Sequence, residues 1–187
     1  MIFQESGLLF TFSEKTWDVL QYDTHKYYKI LSGVGLKGVD FLGIYQKRQV
    51  VFWEVKHFRS PISKDHKFEL SPDFEGQIVG KLVDSIRAIR VIHQYLERKW
   101  WYRAYQKFKG YFPSFLIKNQ DWYFWYRLHQ LISSKEQMQF VLWLEIGGAH
   151  KDLAVLKHDC LDRVGEFHLA NLANPVFQET LKVKLLD

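Results

Sequence analysis

The run Val50-Val51-Phe52-Trp53-Glu54-Val55-Lys56 is apolar at nearly every position, so it fits neither a one-sided helix stripe nor a half-exposed strand with alternating faces. A segment this short, rich in β-branched and aromatic residues, is expected as an interior strand of a sheet covered on both sides. That expectation commits the chain to a layered architecture, and 187 residues are enough to bury a sizeable core. Residues 1–187 are therefore read as one domain.

Other segments organise around this strand. Val39–Tyr45 has the same character and is separated from Gln49–Lys56 by the polar Gln46-Lys47-Arg48, which reads as a hairpin. Gln139–Ile146 returns as another buried strand before Gly147-Gly148. Upstream, Trp17, Leu20, Thr24, Tyr28 and Leu31 recur at helical spacing, so Glu14–Leu31 is predicted as a helix with one buried stripe, ended by Gly33. Ser60–Ser71 carries Pro61 and no period and reads as a loop. Ser71-Pro72-Asp73 then offers a capping hydroxyl, a proline at the first helical position and an acid in the first turn. The helix it starts runs at least to about Tyr95 and buries Ile78, Leu82, Ile86 and Ile89. Residues from about 97 to 131 read as an inserted helical pair around Gly110 and Pro113, where Trp100, Trp101, Trp122 and Trp125 interleave with Arg98, Lys99, Arg103, Lys107 and Lys109. The Leu181–Leu186 piece has no assignable pattern.

Composition removes several function classes. Cys160 is the sole cysteine, so the chain alone builds no disulfide and no cysteine-based zinc cluster. Its histidines lack metal-ligand spacing. No stretch reaches the roughly 18 apolar residues of a membrane span, and Met1–Phe12 has no basic leader before a long apolar run. A cytoplasmic protein with no membrane partner is expected. The net charge of +5 favours a polyanion. Gly33-Val34-Gly35-Leu36-Lys37-Gly38 has dinucleotide-site spacing, but it follows a helix and precedes a strand, the reverse of the phosphate-binding order.

The hairpin carries the chemistry. Glu54 and Lys56 are two apart and share a face. An odd-numbered loop such as Gln46–Arg48 sets Asp40 directly opposite Glu54, at about 5 Å between Cβ atoms. A two-residue loop would set it opposite Val55, on the wrong face. An interior carboxylate is costly unless it is paired or binds metal. Two readings stand side by side: a structural ion pair of Lys56 with Glu54 or Asp40, and a metal site.

Gly38-Val39-Asp40, thirteen residues, then Glu54-Val55-Lys56 resembles the signature of the PD-(D/E)XK nucleases. The likeness extends over roughly Glu14–Arg90 and Gln139–Ile146, with Val39 standing where the name-giving proline would be. It implies a restriction-endonuclease-like α/β fold: an α-β-β-β-α-β core, a mixed central sheet flanked by helices, and the aromatic, basic helical segment as an insertion. It also implies a metal-dependent nuclease that hydrolyses phosphodiester bonds, in DNA rather than RNA. Asp40, Glu54 and Lys56 would be catalytic. Asp40, Glu54 and the Val55 backbone carbonyl would hold Mg²⁺, with Mn²⁺ able to substitute. Lys56 would orient or activate water and offset charge on the phosphate. Asp23, from the first helix, and Gln77 and Lys81, from the later one, are accessory candidates. Against the latter two stands a solvated face in which Lys81 pairs with Asp84.

Nucleic-acid contacts are sought at His57 and Arg59 and at Arg98, Lys99 and Arg103, beside aromatic rings able to stack bases. The favoured reading of those rings is packing of the helical insertion against the sheet, with the charges reaching outward. The alternatives are a catalytically silent nuclease fold that binds nucleic acid or a protein partner, and a Holliday-junction resolvase, which would require a two-fold homodimer.

Overall fold

The computed structural model describes residues 1–58, 73–108, 111, 120–146 and 153–186. Its centre is a mixed sheet of five strands in the order β3 (Trp17–Gln21), β4 (Phe41–Tyr45), β5 (Gln49–Phe58), β6 (Met138–Ile146) and β7 (Glu166–Ala170). β3, β4 and β5 form an antiparallel meander, whereas β6 and β7 run parallel to β5. β5 thus occupies the middle of the sheet, as its two-sided apolar character requires, and Val50, Val51, Phe52 and Trp53 are all fully buried.

The two faces are covered differently. On one, Leu42, Ile44, Val50, Phe52, Phe140 and Leu142 pack against helical residues including Ile78, Leu82, Ile89 and Trp125. These helices are α1 (Lys26–Ser32), α2 (Phe74–Glu97), α3 (Trp100–Phe108), α4 (Asp121–Leu131) and α5 (Ala154–Leu161). On the other face Phe41, Val51, Trp53, Val55, Val141 and Trp143 meet Leu8, Phe10 and Phe12. Those three belong to a small antiparallel sheet of β1 (Ile2–Glu5), β2 (Leu8–Phe12) and β8 (Leu181–Leu185), with β2 in the middle. Helices therefore flank the central sheet on one side and a second sheet on the other. No helix among the described residues is long and apolar enough to cross a membrane.

The predicted helix Glu14–Leu31 is not formed. Its first half is strand β3, and only Lys26–Ser32 is helical, with Gly33 as its C-cap. Trp17 and Leu20 satisfy a helical period, but Trp17 and Val19 also satisfy a period of two, and both are buried on the face opposite Leu20 and Tyr22. Pairing with β4 satisfies the strand's backbone groups, and such tertiary context outweighs a weak local period. Thr24, assigned to the buried stripe, is exposed.

The hairpin, the long helix and the later strand form as the sequence indicates. α2 extends to Glu97 and buries Ile78, Leu82, Ile86 and Ile89. Ser60–Ser71, Pro72, Gly110, Phe112, Pro113 and Gly147-Gly148 lie outside the described residues. Of the insertion's tryptophans, Trp125 is fully buried, Trp101 and Trp122 pack at the edge of the core, and Trp100 is exposed.

Candidate active site

Gln46-Lys47-Arg48 forms the three-residue loop, with Gln46 and Lys47 both at positive φ (47° and 61°). Tyr45 pairs with Gln49 and Phe41 with Trp53. The latter is the last pair of the ladder; one residue beyond it the Asp40 amide donates to the Trp53 carbonyl at 2.9 Å, and the Asp40 and Glu54 carboxylates both reach Lys81. Asp40 is further fixed through the chain before it. The Val39 amide donates to Ser85 Oγ at 3.0 Å and the Lys37 amide to Asp84 Oδ2 at 3.1 Å, tying the entry of β4 to α2.

Glu54 is fully buried. Its Oε1 accepts from Lys56 Nζ and from Lys81 Nζ, each at 2.7 Å, while Oε2 has no hydrogen-bond partner among the described residues. Asp40 Oδ2 accepts from the Val55 amide at 2.6 Å, and Oδ1 lies 3.9 Å from Lys81 Nζ. Burial first, and then the neighbouring Glu54 charge, push the Asp40 carboxyl up to about 7, against the opposing pull of Lys81 and the Val55 amide. Burial works against the Lys81 ammonium, but Glu54 and Asp40 outweigh it and raise Lys81 above the usual lysine value.

Two more carboxylates converge on Asp40. Glu5, Asp23 and Asp40 each offer an oxygen, and the three lie within 4.8 Å of one another. Asp23 is not helical; it sits in the turn between β3 and α1. Its Oδ1 is buried with no hydrogen-bond partner among the described residues, and burial followed by the Glu5 charge raises its pKa. Glu5 was not among the residues singled out from sequence. It closes β1 immediately before a two-residue turn, Ser6 (φ 51°) and Gly7 (φ 77°), across which Glu5 pairs with Leu8. Ser-Gly between apolar runs is the available signal, since a two-residue hairpin turn of this kind favours glycine at a position of positive φ. His57 Nδ1 lies 2.8 Å from the Ser6 carbonyl oxygen, which docks that turn on the end of β5.

Convergent carboxylates with unpartnered oxygens are a donor set for a hard divalent cation such as Mg²⁺ or Mn²⁺. The grouping differs from the one drawn from the sequence. Among the described residues the three-acid group joins Asp40 to Glu5 and Asp23, while Glu54 engages two ammonium groups and Val55 contacts Asp40 through its amide.

Of the remaining candidates among the described residues only Lys81 reaches this cluster, 3.9 Å from Asp40 Oδ1. Gln77 is exposed and donates to Asp73 Oδ2 at 3.3 Å. Lys81 turns to Glu54 rather than to Asp84, which instead accepts from Lys37 and, at 3.0 Å, from Arg87 Nη1. Arg59 is not among the described residues. Arg98 and Arg103 are exposed, and Lys99 Nζ lies 4.9 Å from the Tyr95 ring centroid. No protein family, curated protein or solved structure matches this chain.

Proposed function

We propose that this chain is a metal-dependent nuclease of the PD-(D/E)XK type that hydrolyses phosphodiester bonds, in DNA by preference. The observation that carries the reading is the convergence, at one end of the β4–β5 hairpin, of Asp40 and Glu54 on Lys81, with Lys56 beside Glu54 and Asp23 and Glu5 closing on Asp40. Apart from α1 between β3 and β4 and the helices α3 and α4 after α2, the β3-β4-β5 meander, then α2, then a strand parallel to β5 follows the β-β-β-α-β portion of the order that the resemblance implies. The opening helix of that order is missing, and an acid from a hairpin and one from a turn stand in its place.

Asp40, Asp23 and Glu5, with Glu54 alongside, would hold Mg²⁺, which when bound supplies a Lewis acid for the phosphate and a more acidic water. Lys56 is about a third exposed, so its ammonium can meet a phosphate oxygen or position a water while it remains anchored to Glu54. Lys81 holds Glu54 in place and offsets charge that the buried pair could not otherwise sustain. Asp40, with a pKa near 7, exchanges its proton for a cation readily at neutral pH.

A second reading rests on a specific observation. Glu54 Oε1 is already satisfied by two lysines, an arrangement that also suits a silent fold which binds nucleic acid without cutting. Incubation of duplex, single-stranded and branched DNA and of RNA with Mg²⁺ or Mn²⁺ separates the two. Metal-dependent cleavage by the wild type that is lost in Asp40→Asn and Lys56→Ala is the expected result. No cleavage together with no Mn²⁺ binding by calorimetry would sink the nuclease reading and leave the silent one.

A further inference from the structure

α1 and α2 run side by side and leave an open apolar cleft of about 220 Å³ between them, lined by Tyr27, Ile30, Leu31, Val91, Ile92 and Tyr95. Ile30, Val91 and Tyr95 are exposed, Ile30 by 68 %. The cleft is smaller than the roughly 300–1,000 Å³ of a drug-sized ligand pocket, and its open form suits a flat ring better than an enclosed metabolite. Tyr27 and Tyr95 stand edge to face, 6.1 Å between centroids. An ammonium flanks each ring: Lys26 Nζ at 5.2 Å from Tyr27 and Lys99 Nζ at 4.9 Å from Tyr95. The same two tyrosines wall a second depression that includes Lys26, Lys99 and Trp101, where Asp121 is paired with Lys26 at 2.6 Å and lies 3.1 Å from His25 Nε2.

The rim is cationic. Lys99 stands over the Tyr95 ring, and Arg98 follows Tyr95 by less than a helical turn on the Val91 side of α2. Among the described residues Arg98 and Lys99 have no carboxylate partner, whereas Lys26 is paired with Asp121. A second copy docked here about a two-fold axis would set these cations against their own images, which is unfavourable. A polyanion would not. A duplex hides its base faces, so it leaves the apolar floor unfilled; an unpaired strand presents phosphates to the rim and bases to the tyrosines. Lys81 and Tyr95 are fourteen residues apart on one side of α2, about 21 Å at 1.5 Å per residue, so the cleft lies along the helix that also supplies Lys81 to the candidate active site.

We propose that the α1–α2 cleft is a stacking site for an unpaired segment of nucleic acid. The proposal rests on the nuclease reading only in supplying that reading with its substrate class, a substrate with a single-stranded portion. The test is fluorescence anisotropy of a labelled oligothymidylate and of a labelled duplex with the same number of nucleotides. The full chain is used in EDTA, where no cleavage intervenes. The oligothymidylate is expected to bind the wild type more tightly than the duplex does, with Tyr95→Ala weakening it about tenfold and the surface change Arg98→Glu weakening it and flattening its salt dependence. Unchanged affinity in both variants overturns the proposal. So does tighter duplex binding, or a concentration-dependent dimer in sedimentation that Val91→Asp dissolves, which would assign the cleft to a second copy. Cleavage that survives while the cleft variants bind normally would remove this inference alone, and cleft binding without cleavage by any metal would remove the nuclease reading alone.

Discussion

Lys81 Nζ lies 2.7 Å from Glu54 Oε1, so a long helix is joined to the middle strand of the central sheet through a fully buried carboxylate. Losing one partner of a buried pair leaves an uncompensated charge, which costs about 3–5 kcal/mol. Here Lys81 is about a quarter exposed and Lys56 remains on the same oxygen. Lys81→Met is therefore expected to lower stability by about 2 kcal/mol, read as a lower urea midpoint with an unchanged slope. Adding Glu54→Gln should recover part of the loss. A single variant as stable as the wild type would show that Lys56 suffices.

Asp40 makes metal-free stability depend on pH in an unusual direction. Its carboxyl is raised to about 7 from 3.8, so in that window the folded chain binds the proton that the unfolded chain releases. The stabilisation is full below about pH 3.8 and is lost as pH rises through about 7. In EDTA, the advantage of wild type over Asp40→Asn in melting temperature should shrink across that range. Mn²⁺ at pH 8 should raise the wild type's melting temperature and not the variant's.

His93 and His129 stack with centroids 3.5 Å apart and rings 15° from parallel, linking α2 to α4. Burial first lowers both, and for His129 the neighbouring His93 adds to it. Depressed histidines contribute stability above their ordinary value of 6.5 that disappears as pH falls through their lowered values. His129→Phe should flatten the acid side of the stability profile below the ordinary histidine value of 6.5. A profile with the same slope in both proteins would place that acid sensitivity elsewhere.

Gly38 lies two residues before Asp40, and a Cβ there would stand 2.6 Å from Tyr22 Cε1 and 2.8 Å from Tyr28 Cε2. Tyr22 is almost wholly buried and cannot swing away. Gly38→Ala should cost about 1–3 kcal/mol by overpacking and, by displacing Asp40, weaken Mn²⁺ binding measured by calorimetry. Full metal affinity in a destabilised variant would separate the packing from the site.

Glu5→Gln distinguishes the two ligand groupings. If Glu5, Asp23 and Asp40 share the cation, this change should weaken Mn²⁺ affinity at least about tenfold while leaving the melting temperature in EDTA unchanged or higher, because one of three mutually repelling carboxylates is gone. Unaltered affinity would return the metal to Asp40 and Glu54.

The sequence by itself determined the parts governed by short-range pattern: the two-sided apolar strand around Trp53, its hairpin partner, the long helix that buries Ile78, Leu82, Ile86 and Ile89, and the strand Gln139–Ile146. The odd loop Gln46–Arg48 fixed which face Asp40 would take, because strand side chains alternate with a period of two. What local pattern could not decide was Trp17–Leu31, where helical and strand periods overlap and pairing with β4 selected the strand. Tertiary structure alone brought Glu5 from the second sheet and Asp23 from a turn to Asp40, and turned Lys81 from its neighbour Asp84 to Glu54. Those contacts join residues far apart in the chain. Their energies depend on burial and on the charges opposite, quantities that exist only once the sheet and α2 have closed on each other.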